Sequence, residues 1–296
     1  MSPPVALYPI IDGRFSTQGI HPTTASCLPR CNTRTRTTMC NLPCELLDHV
    51  VDLLHDSQTS LKNCCLVSKS WVARTRRHLF AEVHFHTTKS LESWKKMFPD
   101  PSTSPACYAK ALFIGCPQVF TAAGVEAEAV GWMGSFSGVE RLELGGRDLH
   151  GLGWEAGFVL FQALLPVVKS LHVKFSSFSF SHFLHLVLTF PLLEDLIMIN
   201  CHDKQPIHGD YSNGSPTVVR PSSPPTFTGT LWLFLRGGMG PIVDRLLSLP
   251  SGIHFRKLTL SWFREEDVSL TAGLVENCSR TLESLDINCN LRGMLI

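Results

Sequence analysis

Apolar residues follow two rhythms along this chain: helical spacing at positions 42–85, then apolar pairs separated by a single residue that recur along the rest. In the first region Leu46, Leu47, Val50, Val51 and Leu54 recur three and four apart, which predicts one amphipathic helical face. Asn41 is placed to cap that helix, Pro43 stands where a helix start tolerates a missing N–H, and Glu45 falls in the first turn, where the dipole favours an anion. A second helix is expected from about Ser60, with Leu61, Cys64 and Cys65 inward, breaking near Leu66, Val67 and Ser68. A third opens at Ser68 or Ser70 and carries Trp71, Thr75, Leu79 and Phe80 on one side, with Arg74, Arg76 and Arg77 on the other. About forty residues are too few for a self-sufficient core without staples or metal, so this apolar surplus must be covered by a neighbouring domain or by a partner.

The second rhythm is a repeat. The pairs Val83/Phe85, Leu112/Ile114, Leu142/Leu144, Leu171/Val173, Leu196/Met198, Leu231/Leu233, Leu258/Leu260 and Leu285/Ile287 have first members 25 to 35 residues apart. Three residues upstream of several of them stands another apolar anchor: Val139, Val168, Leu193, Phe255 and Leu282. Helix-like stretches lie between, at Gly157–Leu165, Phe183–Leu188, Ile242–Leu249 and Leu270–Val275. Such a strand, turn, helix and return unit buries its apolar side only against its neighbours, which predicts stacking and a parallel sheet. The pattern resembles leucine-rich repeats, loosely. Only Cys201 and Asn290 stand at the Asn/Cys position of that repeat, with Arg147, Ser176 and Phe263 in its place elsewhere, so irregular turns are expected. An ordinary α/β domain with parallel strands gives a similar alternation and is the competing reading.

The helical region carries a sharper resemblance. The LPxEL start at Leu42–Leu46, the following Val50, the LVSKSW run from Leu66 to Trp71 and the closing Leu79 and Phe80 resemble the F-box family, especially its fungal members. That resemblance implies docking on the small Skp adaptor, which hangs F-box proteins on a cullin-based ubiquitin ligase. It assigns the adaptor contact, or the core beneath it, to Leu42, Pro43, Glu45, Leu46, Val50, Leu66, Val67, Ser68 and Trp71. The competing reading is a helical cap on the next domain that touches nothing else.

Composition narrows the classes further. A chain of 296 residues with 44% hydrophobic content can bury a sizeable core, and a net charge of +1 points to neither nucleic acid nor a strongly acidic partner. Eleven cysteines, odd in number and without a secretory apolar region, fit free thiols in a reducing compartment, cytoplasmic or nuclear. The longest apolar run, Ala156–Val168, is too short to span a bilayer and contains Gln162 and Pro166. Residues 1–40 are rich in Pro, Thr, Ser and Arg with Asp12 their one acid, and are expected to be a disordered leader; a transit peptide is the alternative, and Met39 a possible working start. Residues 203–226, dense in Pro, Gly and Ser, read as an exposed loop inserted in one repeat, passive or phosphorylated at Ser222 or Ser223. A second Pro-rich link is expected at Pro99–Pro105.

Catalytic patterns fail on spacing. Phe136 stands midway between Gly134 and Gly138 where a nucleophile elbow needs serine, and Arg236–Pro241 lacks the lysine and hydroxyl of a phosphate loop. Cys27, Cys31, Cys40 and Cys44 leave little room for a zinc knuckle, and His182/His185 and His84/His86 lack further ligands. Glu265, Glu266 and Asp267 diverge as a solvated turn. The expectation is therefore an α/β protein without enzymatic activity, metal or cofactor: a three-helix F-box at 41–81 and an irregular leucine-rich-repeat-like solenoid with a parallel sheet at 82–296. It would act as the substrate-recognition adaptor of a Skp-cullin-F-box ubiquitin ligase, with no nucleic acid or membrane partner. The alternative is a scaffold that binds Skp without ubiquitylation. Because the paired anchors point inward, the residue between them faces out. Phe113, Glu143, His172, Ile197, Trp232, Thr259 and Asp286 are the candidate contacts to a target protein, with Phe113, Ile197 and Trp232 as its apolar centre.

Overall fold

A computed structural model describes residues 43–115, 132–146, 161, 167–178, 187–188, 190–203, 225–235, 238–249, 252–261 and 267–288. The expected leader at 1–40, Asn41 and Leu42, the expected helix at 157–165 except Phe161, residues 183–186 of the expected helix at 183–188 and residues 204–224 of the expected loop lie outside them.

Three helices open the described chain: α1 (Cys44–Leu53), α2 (Gln58–Val67) and α3 (Lys69–Leu79). The α3 helix packs on both others, and Val51, Leu61 and Thr75 are completely buried between them. Pro43 itself takes the N-cap position of α1, without a side-chain cap. The second helix begins earlier than expected, because Ser57 accepts the N–H of Ser60 at 3.3 Å and so caps a start at Gln58. Ser68 caps α3 in the same way, through the N–H of Ser70. Asp52 on α1 then ties the bundle together. Arg74 donates Nε to Oδ1 at 2.7 Å and Nη2 to Oδ2, and His78 Nε2 lies 2.8 Å from Oδ1. The hydrogen bonds from Arg74 and then His78 hold the Asp52 carboxyl well below the usual carboxylate range.

Eight strands follow in one all-parallel sheet: β1 (Glu82–Phe85), β2 (Ala111–Ile114), β3 (Arg141–Gly145), β4 (Ser170–Lys174), β6 (Asp195–Ile199), β8 (Thr230–Phe234), β9 (Lys257–Ser261) and β10 (Ser284–Asn288). Each pairs with the next in chain order, so the order never reverses as it does in doubly wound folds. Two short strands, β5 (Ser177–Phe178) and β7 (His202–Asp203), pair with each other at the ends of β4 and β6. The register places the first anchors, Val83 through Leu285, in one row and the second anchors, Phe85 through Ile287, in another. Both rows are buried from β1 to β9, and the upstream anchors Val139, Val168, Leu193 and Phe255 are fully buried behind them. The helices α5 (Gly240–Leu247) and α6 (Val268–Cys278) pack together, with Ile242, Val243, Leu246 and Leu274 in the same core. On β10 the pattern breaks: Leu285 and Ile287 are 44% and 40% exposed, although the periodicity makes them core anchors. Each rung from β1 to β9 is covered by its successor, and among the described residues no ninth rung pairs with β10.

Between β1 and β2 lies α4 (Thr88–Met97), which the apolar pattern did not announce. Thr87 and Ser90 exchange side-chain and backbone hydrogen bonds at its start, a capping box with serine in the usual Glu/Gln place. The expected Pro-rich link is instead two short 3-10 turns, Pro101–Thr103 and Pro105–Tyr108, each with proline at its first position. Aromatic rings join helices to sheet. Phe80, at the end of α3, meets Trp94 edge-on at 5.9 Å, and Trp94 meets Phe85 of β1 at 5.7 Å.

Candidate functional site

The α1 helix shows two apolar stripes one residue out of phase. Leu47, Val51 and Leu54 turn toward the bundle and are buried or half-buried, whereas Leu46, Val50 and Leu53 point away from it. Sequence spacing alone merged Leu46 and Val50 into the inner stripe and left out Leu53, which is 69% exposed. At the end of α2, Leu66 and Val67 are also bare, Leu66 at 86%. Helix ends of this kind normally turn such residues inward, since leaving a leucine in water forgoes about 2 kcal/mol. Pro43 and Glu45 lie exposed at the start of α1, and Trp71 is half-buried on α3, with its carbonyl accepting the Thr75 hydroxyl at 2.7 Å. Ser68 acts as a helix cap, and Leu42 lies outside the described residues.

The second surface is the sheet face opposite the core. The register brings His84, Phe113, Glu143, His172, Ile197, Trp232, Thr259 and Asp286 into a single row across all eight strands. His84 is the member that the sequence reading left out. At one end His84 and His86 stack at 5.7 Å and both rings contact Phe113. The Phe113 ring lies across two glycines. A Cβ on Gly115 would stand 2.8 Å from it, and one on Gly145 3.2 Å. Burial, then the neighbouring His86, holds His84 below the usual imidazole range. Farther along, Ile197 and Ile199 on β6 and Trp232 and Phe234 on β8 form an apolar strip. Phe175, just past β4, is 62% exposed beside it.

Between these lies a polar cluster that no spacing argument finds, because it joins two strands. Ser170 Oγ is 3.1 Å from His172 Nε2, His172 Nδ1 is 3.7 Å from Glu143 Oε2, and Lys174 Nζ is 2.8 Å from Glu143 Oε1. The order serine, histidine, carboxylate is that of a nucleophile, base and orienter. Lys174 holds the carboxylate more closely than His172 does, so the Glu143 carboxylate is engaged in an ion pair across the two strands. The cluster is an electrostatic brace across the face. Partial burial pushes Glu143 up, but the imidazole and ammonium beside it outweigh that and bring its pKa down to about 2. A carboxylate with a depressed folded pKa stabilises above its unfolded value, and that stability fades as pH falls. Between about pH 4.5 and 2, wild type should therefore lose on the order of 2 kcal/mol that Glu143→Gln does not lose, read as converging melting temperatures in acid.

Among the described residues no group of three or more His, Cys, Asp or Glu side chains is placed to hold a metal ion, and no helix is long and apolar enough to cross a membrane. Cys201 is fully buried, with its thiol 3.4 Å from the Val173 carbonyl, and burial pushes it up to about 12. It sits in the turn after β6; Asn290, Arg147 and Phe263 lie outside the described residues. So do Cys27, Cys31, Cys40, His182, His185, Ser222, Ser223, Arg236, Glu265 and Glu266, while Asp267 is buried and its Oδ1 accepts the Met239 N–H at 3.2 Å. No family model matches the chain, and no curated protein matches it either.

Proposed function

We propose that the chain is the recognition adaptor of a Skp-cullin-F-box ubiquitin ligase, with α1 to α3 as the F-box and the sheet as a leucine-rich-repeat-like solenoid that holds a target protein. The observation that carries the reading is the outward stripe Leu46, Val50 and Leu53, together with Leu66 and Val67, on helices whose inner faces are already satisfied. An apolar stripe of that kind suits burial by a second polypeptide of matching helical shape. The strictly sequential parallel order and the rows of anchors support the solenoid. The protein performs no bond chemistry in this reading; it holds a target lysine near a charged ubiquitin carrier and so raises the effective concentration of the reactants.

Two measurements test it. Purified chain should capture a Skp-family adaptor and, through it, a cullin. Adaptor without cullin would favour the scaffold, and capture of neither would end the proposal. Trp232→Ala should leave adaptor capture at the wild-type level while reducing target capture, because Trp232 is a sheet-face residue remote in sequence and fold from α1. Equal loss of both would mean that the substitution had unfolded the chain.

A further inference from the structure

The charges on the open sheet face are almost all used up internally. Glu82 meets Arg141 at 2.5 Å, Glu143 meets Lys174 at 2.8 Å, and Asp195 accepts the Thr230 N–H at 2.6 Å. Asp286 differs: it is exposed, and no ion pair reaches it among the described residues. Lys257, the cation on the adjoining strand, is in register with Ser284, while Thr259 stands opposite Asp286. From Trp232 the row runs through Thr259 to Asp286, two strand spacings or about 10 Å.

The apolar strip beside it carries a second anomaly. The residue after each of β3, β4 and β6 takes a left-handed conformation: Gly146 at φ 122, Phe175 at φ 52 and Asn200 at φ 53. Glycine and asparagine adopt that region readily, but for a bulky side chain it is strained. Phe175 nevertheless occupies it and leaves its ring in solvent, so packing within the fold does not account for it. Its N–H bonds the Ile199 carbonyl at 2.8 Å, which fixes it at the rim of the strip formed by Ile197, Ile199 and Trp232.

We infer that this face takes a segment of a target polypeptide in the polyproline-II conformation, which sets a large apolar side chain on Ile197 and Trp232, rimmed by Phe175, and three residues farther along sets a lysine or arginine at Asp286, since that conformation returns a side chain to the same face every third residue and advances about 3.1 Å per residue. The inference rests on the target-binding reading of the sheet and adds its ligand chemistry and direction. Glu143 cannot serve as a rival anchor at the other side, because Lys174 and His172 already flank it.

The test uses the full chain and dye-labelled synthetic peptides read by fluorescence anisotropy. One carries Leu-Thr-Thr-Arg in a Ser/Thr background, a second Leu-Thr-Thr-Glu, and a third Ser-Thr-Thr-Arg. Wild type should prefer the first over each of the others. Trp232→Ala should weaken it about tenfold or more, and Asp286→Asn about threefold. Asp286→Lys should reverse the preference between arginine and glutamate peptides, and Phe175→Asn should weaken binding without lowering the melting temperature. Equal binding of the first two peptides by wild type, binding of none, or an unchanged preference in Asp286→Lys would overturn the inference. Adaptor capture, measured on the same preparations, separates the two failures: its retention leaves the adaptor reading intact while the peptide result stands alone.

Discussion

Leu46→Asp is expected to lower affinity for a Skp-family adaptor on the order of a hundredfold while leaving the melting temperature within about 2 °C of wild type. The two halves of that expectation come from one fact, that Leu46 lies on the outer stripe of α1 and is 53% exposed. Removing it takes little from the bundle, whose core is Val51, Leu61 and Thr75. An aspartate in the first turn is also compatible with the helix dipole, next to Glu45. In a complex, by contrast, the substitution loses about 2 kcal/mol of apolar burial and places a carboxylate where no partner awaits it. Isothermal titration with the purified adaptor, beside a thermal melt, reads both. A drop in melting temperature as large as the loss in affinity would show that Leu46 supports the fold instead.

Phe85→Ala should have the largest effect on stability, about 3–5 kcal/mol and on the order of 10 °C in melting temperature. Phe85 is 1% exposed and meets Trp94 and Phe136 edge-on at 5.7 and 5.9 Å. Trp94 in turn contacts Phe80 and Phe98, so truncating Phe85 opens a cavity at the junction between the helices and the first rung. Trp232→Ala is the natural control: an aromatic ring of the same sheet, removed from the open face, with little change in the melt. A shift below about 2 °C for Phe85→Ala would mean that the aromatic junction is not a packed core.

Much of this arrangement is readable in the sequence where one physical signal dominates. The pairs from Val83/Phe85 to Leu258/Leu260 are legible because burial on one face of a strand imposes a period of two, and Val139, Val168, Leu193 and Phe255 because the turn before each strand enters the core. The outward row from Phe113 to Asp286 follows from the same alternation. Other features have no local signature. The α4 helix hides because serine stands in for Glu/Gln in its capping box, and Leu91 is its one buried residue among those described. On α1 the inner and outer stripes differ by a single residue, so Leu53 is recognised as exposed only once α3 is seen to lie on the Val51 side. The Ser170, His172 and Glu143 cluster joins β4 to β3 through sheet register, and the left-handed turn at Phe175 arises from its rung position, in a residue type that disfavours it. Leu285 and Ile287 obey the periodicity yet stand exposed, because periodicity does not report which neighbours cover a strand, and among the described residues none pairs with β10 on its outer side.

What covers the outer stripe of α1 is measured directly by hydrogen–deuterium exchange of the full chain with and without a purified Skp-family adaptor. Protection should rise across Cys44–Leu53 and around Leu66 and Val67, and stay unchanged across β8 and Trp232. Exchange in those helices that is indifferent to the adaptor, or protection gained on the sheet face instead, would contradict the adaptor reading.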